Sequence, residues 1–400
     1  MSCPTPPDGG SLVSLGLVPA GPVSFLDGVG LVDHHCHSVV AADLDRPGFE
    51  ALLTEGAGPA PGTSAFDSSL GFSVRRWCAP VLGLPPHAAP DDYVARRAEI
   101  GTGPASRALM RAAGTESLLV DHGFAAESLL GLDDLRDTAG VPVGEVVRLE
   151  AVAQDVADAG VDAAGYGDAV VAEVARRTAP GVRPLAVACK TVLAYRAGLD
   201  VDPRRPEPAE VAAAADAWLP RRAAEGATLR DPVLLRHGIW TGLDTGLPLQ
   251  VHTGFGDVDE DLHRADPALL TGLARLVEPL GVPLMLLHTY PYHRQAAWLA
   301  QVFSCVHVDV SLAVPHVGPR SRDVIAEMLE LAPFAKVLYA SDAYGLPELH
   351  LLGALRFRAA LGGLLERACA TDEISPADAE RVATMIAREN ARRVYARMPA

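Results

Sequence analysis

The sequence predicts an α/β protein, a (β/α)8 TIM barrel with a helical insertion between its first and second strands, and three observations carry that expectation. Eight short Val/Leu-rich runs end in polar residues, Ala/Leu/Arg-rich stretches of helical period follow several of them, and one connection is far too long for a loop. The runs are Gly30–His37, Ser117–His122, Glu145–Ala151, Arg183–Lys190, Leu247–Thr253, Val282–Thr289, Cys305–Ser311 and Lys336–Asp342. Apolar runs separated by helices suit parallel strands buried on both faces, and eight is the number that closes a barrel.

Helices are expected at Ala209–Leu219, with Pro220 closing it, and at Pro267–Leu280, Tyr292–Phe303 and Ser321–Leu331, while Ser375-Pro376 opens the last helix. Ser38 to Glu116 is roughly eighty residues, against about 2–6 for an ordinary βα loop. Within it Ala42–Thr63 reads as an irregular Gly/Pro-rich loop and Ser64–Gly114 as helices. A βα connection leaves the sheet at the catalytic face, so residues 38–116 are read as a lid-like insertion. They belong to a barrel domain spanning residues 30–400, preceded by an N-terminal segment, residues 1–29.

Hydrophobic residues make up 49% of the 400 and charged residues 21%, which allows a large core and excludes wholesale disorder. A net charge of −16 repels nucleic acid and anionic membrane, leaving a small-molecule substrate as the expected partner and a homo-oligomer as compatible. The start, MSCPTPPDGG, has no basic region before an apolar run, and no stretch reaches about 18 apolar residues. The expectation is a cytoplasmic protein. Its six cysteines form no CxxC pair, as suits reduced thiols. Of 34 basic residues only Lys190 and Lys336 are lysines, so arginine serves wherever positive charge alone is needed.

In such a barrel the strand ends form one ring: His35 and His37, Asp121 and His122, Arg148 and Glu150, Lys190, His252, His288, Asp309 and Ser311, and Asp342. His35 and His37, two apart on one strand, point the same way and can grip one cation, whereas His34 is expected to point oppositely and pack. With His252, His288 and Asp342 they make a donor set suited to Zn²⁺, or to Fe²⁺ or Mn²⁺, with a position left for water. Each histidine taken alone is as well read as a buried hydrogen-bonding group.

The phrases DHHCH, CK, QVHTG, LLHTYPYHR and LYASDA, in this order, resemble the amidohydrolase superfamily. Longer phrases, KTVLAYRAGLD, PLQVHTGFGDVDEDL and LYASDAYGLPELHLLG, are similar to its amidohydrolase-related branch, especially the domain fused to glutamine synthetase in fungal and plant proteins. The resemblance implies one or two divalent metals and hydrolysis of an amide or related bond. It makes His35, His37 and Asp342 ligands of the more buried metal. His252 then completes that site or serves a second metal, and His288 is a second-metal ligand or a hydrogen-bond donor to substrate. Asp342 also takes a proton from metal-bound water and returns it to the leaving group.

Lys190, in a chain nearly free of lysine, is either a carbamylated bridge between two metals, an ammonium that binds a substrate carboxylate, or a structural residue. Arg148, Glu150, Arg196, Asp309, Tyr292, His293, Arg294 and Glu348 are candidates to meet substrate, with Arg148 or Arg294 gripping a carboxylate. The alternative for Arg148 and Glu150 is a structural pair beneath the site. Arg75, Arg76 and Trp77 read as an ordinary helix surface. The substrate implied by the fusion is a small carboxylate-bearing amide such as a γ-glutamyl amide. The competing activity is a non-hydrolytic metal-dependent decarboxylase or lyase of the same superfamily.

Overall fold

The computed structural model describes residues 25–399; most of the expected N-terminal segment, including Cys3, lies outside them. Seven parallel strands form one sheet in sequential order: β1 (Leu31–Cys36), β2 (Thr115–Asp121), β3 (Val143–Arg148), β4 (Ala186–Thr191), β5 (Leu249–Thr253), β6 (Leu284–His288) and β7 (Val306–Val308). Val32, Leu119, Val146, Val187, Met285 and Leu287 meet in one buried cluster with Leu338 and Tyr395. Residues of β1 and β6 can share a cluster only if the sheet curls around it. The opposite faces bury a larger cluster of strand and helix residues, which is why these runs read as continuously apolar.

The eighth expected strand, Lys336–Asp342, is not a strand. Lys336 ends a 3₁₀ turn, Phe334–Lys336, and its Nζ is tied to the carbonyls of Ala300 (2.7 Å) and Phe303 (2.5 Å). At the other end Asp342 has φ +51°, which no strand accommodates. Between them the extended chain still bonds to both edges of the sheet. Leu338 donates to the Val308 carbonyl (3.1 Å), His34 to that of Tyr339 (3.2 Å), and Asp342 to that of His35 (3.1 Å).

Helices follow most strands. Pro208–Glu225 runs through Pro220 instead of ending there; the residue whose carbonyl loses its partner, Asp216, lies on the exposed side, where water can take that bond. Ser375 caps the helix Pro376–Thr384 by accepting from the Asp378 amide. Between β1 and β2 lie Arg46–Ala51, Ser69–Ser73, Pro90–Ile100 and Thr102–Ala113, with a π-helical turn at Val74–Cys78. The first corrects the expected irregular loop: Asp45 caps it, accepting from the Gly48 amide. Phe49, Phe66, Leu70, Tyr93 and Leu109 of this region pack on Leu351 and Leu355 of the long helix Pro347–Ala370 and on Leu346 just before it.

Candidate metal centre

The site begins with an irregularity in β1. Asp33 lies opposite Leu118 and Cys36 opposite Val120, so three steps of β1 match two of β2. This bulge resets the in–out alternation. His34 therefore faces inward with His35 and His37, contrary to the expected opposite orientation. It is held there by the Tyr395 hydroxyl (2.9 Å from Nδ1) and Asp309 Oδ2 (3.0 Å from Nε2).

Hydrogen bonds fix which nitrogens of the next two imidazoles face the site. Gln250 Nε2 donates to the His34 carbonyl (2.8 Å) and the Tyr395 hydroxyl (2.9 Å), which leaves its Oε1 to accept from His35 Nδ1 (2.8 Å). His37 Nδ1 donates to the Asp121 carbonyl (2.8 Å). Both rings thus keep a lone pair on Nε2. These Nε2 atoms stand 3.1 Å (His35) and 3.7 Å (His37) from Asp342 Oδ1, an atom with no hydrogen-bond partner among the described residues. Burial lowers the His37 imidazolium to about 3 and, reinforced by Lys190, holds His35 well below its ordinary value. Burial also raises the Asp342 carboxyl. Two imidazole nitrogens and a carboxylate oxygen that converge at one buried point are a donor set for a cation, so these residues fit a divalent metal.

Two site residues adopt the left-handed region, His288 at the end of β6 at φ +68° and Asp342 at φ +51°, which costs a non-glycine residue on the order of 1 kcal/mol each. Asp309 holds the first of these turns. Its Oδ1 accepts the amides of His288 and Ser311 (both 2.9 Å), and its carbonyl accepts the Thr289 hydroxyl (2.6 Å). The turn brings His288 Nδ1 to 3.2 Å from Asp342 Oδ2 and 2.9 Å from Ser311 Oγ. His252 stands beyond it, its ring 4.6 Å from that of His288 and 4.2 Å from Tyr195, with Nε2 3.4 Å from Glu260. Burial lowers the pKa of both histidines.

Lys190 ends β4 inside this ring, with Nζ 2.8 Å from His35 Nε2 and 3.6 Å from Asp121 Oδ2. Burial lowers the Lys190 ammonium, and Asp121 opposes that effect. Asp121 is itself buried, which alone would raise it, but Arg148 and Lys190 pull its carboxyl below the usual range. Arg148 pairs with Asp121 through Nε and Nη2 (2.7 Å at the shortest) and not with Glu150, so the structural pair offered as the alternative for these two residues does not form. Glu150 lies in the first turn of the helix Leu149–Asp158, where its Oε1 accepts from the Thr191 hydroxyl (2.6 Å) and the Val192 amide (3.0 Å). Arg196 is half-buried, and its Nε has no hydrogen-bond partner among the described residues.

Other expected substrate contacts are engaged elsewhere. Glu348 is buried against the Tyr93 hydroxyl (2.9 Å) and Arg97 Nε (3.0 Å). His293 pairs with Glu327 (2.7 Å) and Arg294 with Glu330 (3.0 Å), joining the helices His293–Val302 and Ser321–Leu329. Tyr292 is half-buried at the start of the former, and His122 is half-buried after β2. Arg75 bonds the His87 and Ala88 carbonyls, and Arg76 lies over Trp77, as a helix surface would. Sequence reasoning missed Gln250, Tyr195 and Glu260. Gln250 was discoverable, being two residues before His252 and so on the same strand face. Glu260, raised to about 8 by burial and by Asp257, carries no local signal.

Among the described residues no helix is long and apolar enough to cross a membrane. Over 226 residues the chain is 31% identical to Protein fluG of Emericella nidulans, a match covering 53% of this chain and 26% of that protein, so the chain matches about a quarter of its length. A solved structure from Lactobacillus casei ATCC 334, described as a metal-dependent hydrolase, superposes with a TM-score of 0.81 at 26% identity, covering 93% of this chain and 96% of that one. Glucuronate isomerase from Caulobacter crescentus shares the fold at a TM-score of 0.61 and 16% identity, over 95% of this chain and 96% of that one. The amidohydrolase family model matches residues 32–397, and with so nearly the whole described chain inside it, this protein belongs to the amidohydrolase family.

Proposed function

We propose that this chain is a metal-dependent hydrolase that cleaves an amide, or a related C–N or ester bond, of a small carboxylate-bearing substrate. The observation that carries this reading is the convergence of His35 Nε2 and His37 Nε2, their rings set by Gln250 Oε1 and the Asp121 carbonyl, on Asp342 Oδ1, which has no hydrogen-bond partner among the described residues. His35, His37 and Asp342 hold the cation, with His252 completing the set. Neutral imidazoles and a carboxylate suit Zn²⁺ first, and Mn²⁺ or Fe²⁺ after it. When bound, the cation supplies Lewis acidity for a carbonyl and acidifies water. Asp342 accepts the water proton at Oδ2, 3.2 Å from His288, and delivers it to the leaving nitrogen. Arg148 and Arg196 are the cations offered to a substrate carboxylate.

In the same reading the segment Val337–Ala343 fills the eighth position of the barrel, and the helices within residues 38–116 cover its mouth. Supporting the lid, Glu55 pairs with His316 (3.4 Å) and adds its charge to the field at Asp342. Protein purified without chelator should carry metal; less than about 0.2 per chain, with no activity gained on adding Zn²⁺ or Mn²⁺, overturns the reading. A panel of γ-glutamyl amides, dipeptides and aromatic acids, followed for ammonia, amine and CO₂, then separates hydrolysis from decarboxylation. On whichever substrate turns over, Asp342→Asn should lower kcat at least about 100-fold, because an amide cannot accept the proton.

A further inference from the structure

The bulge that gathers His34, His35 and His37 inward turns Asp33 and Cys36 together to the other side of β1. There they meet His350, which comes from the helix Pro347–Ala370 and is 1% exposed. Neither ring nitrogen of His350 has a hydrogen-bond partner among the described residues. Leaving buried polar nitrogens unpaired is costly, and native proteins seldom tolerate it. His350 Nδ1 is 3.8 Å from Asp33 Oδ2, and one donor atom from each of Asp33, Cys36 and His350 lies within 4.8 Å of the others. A separation of 3.8 Å is too long for a hydrogen bond. Zinc bonds to nitrogen and oxygen of about 2.0–2.2 Å put tetrahedral ligands roughly 3.3–3.6 Å apart, so an ion shared by the two would draw them a few tenths of an ångström closer.

We propose that Asp33, Cys36 and His350 form a second, buried cation site that takes a thiophilic divalent ion of the zinc class. The sulfur sets the selectivity, since a thiolate with imidazole and carboxylate favours Zn²⁺ over Mg²⁺ or Ca²⁺. Cys36 has a single weak alternative, the Leu119 carbonyl at 3.7 Å. Both Asp33 oxygens already accept from Ser341, Oδ1 from its amide (2.9 Å) and Oδ2 from its hydroxyl (2.5 Å), and each keeps a second lone pair for an ion. The Tyr339 hydroxyl, also buried and without a partner among the described residues, is within electrostatic reach of Asp33 and Cys36. An ion here ties β1 to the helix Pro347–Ala370 behind the segment that carries Asp342. The site shares no residue with the inner one.

The two sites differ in one spectroscopic respect: the inner donor set contains no sulfur. Protein expressed in zinc-depleted, cobalt-supplemented medium, so that the ion is present as the chain folds, should show a thiolate-to-cobalt charge-transfer absorption in the near ultraviolet. Cys36→Ser and His350→Gln should each lose that band and about one equivalent of cobalt, with circular dichroism confirming that at least one of them is folded. His35→Asn/His37→Asn, which disables the inner set, should keep the band. No band in the folded wild type, or a band that survives Cys36→Ser, overturns the proposal. Failure of the hydrolytic reading leaves the band in place, so the two outcomes are separable.

Discussion

Gln250 takes part in no bond making, yet it decides which nitrogen His35 presents, because its amide has two acceptors on one side and one donor on the other. Gln250→Leu should therefore weaken metal binding about 10–100-fold while sparing the fold, as measured by competition with a chromogenic chelator. Unchanged affinity would show that His35 orients itself. Lys190 offers a second test at this scale, since its Nζ is 2.8 Å from His35 Nε2. If it is a carbamate bridge, Lys190→Arg loses the second metal, and Lys190→Ala partly regains it when a short carboxylic acid is added. If it is an ammonium, both variants keep the metal, KM rises for acidic substrates, and Arg retains more binding than Ala. That His35, His37, His252, His288 and Asp342 gather in one place was legible because strand ends are where polar residues are otherwise hard to justify. His34 was misread because an in–out alternation cannot reveal the bulge that breaks it.

Among the elements, seven of the eight predicted runs became strands, since runs of Val and Leu buried on both faces leave little choice. The eighth failed for a local reason: Asp342 must bend out of strand geometry to aim its carboxylate, and a φ of +51° is not written in residue type. Glu348 was misassigned for the opposite reason. An acidic residue five positions before the end of a conspicuous phrase looked like substrate chemistry, whereas it anchors the helices between β1 and β2 through Tyr93 and Arg97. Arg97 and Glu348 are 2% and 0% exposed, so neither ion has water to fall back on. Glu348→Ala should destabilise the protein by about 3–5 kcal/mol in urea unfolding, because it strands a buried guanidinium. Arg97→Met with Glu348→Leu should recover most of that loss. A double variant as unstable as the single one would mean that shape, not charge, holds the insertion.

For the molecule as a whole, the histidines that face the curled sheet's interior or line its mouth set an acid limit on stability. His307 on β7 isolates the effect, being buried and outside the proposed ligands, with Nδ1 3.2 Å from the Cys305 carbonyl. Burial lowers its imidazolium to about 4 in the folded protein, against about 6.5 in an unfolded chain. As pH falls below about 6.5 the unfolded chain takes up this proton and the folded chain does not, so stability drops by up to about 1.4 kcal/mol per pH unit until about 4. Above pH 6.5 neither state binds the proton, and the contribution is fully present. His35, His37, His252 and His288 are shifted in the same direction by burial, so the metal-free protein should lose stability steeply on acidification. Urea midpoints of metal-free protein between pH 7.5 and 5 should fall, and His307→Leu should flatten that fall by about one proton's worth of slope without removing it. Parallel curves for wild type and variant would show that His307 gains its proton as readily folded as unfolded, and would remove it from the groups that limit the protein in acid.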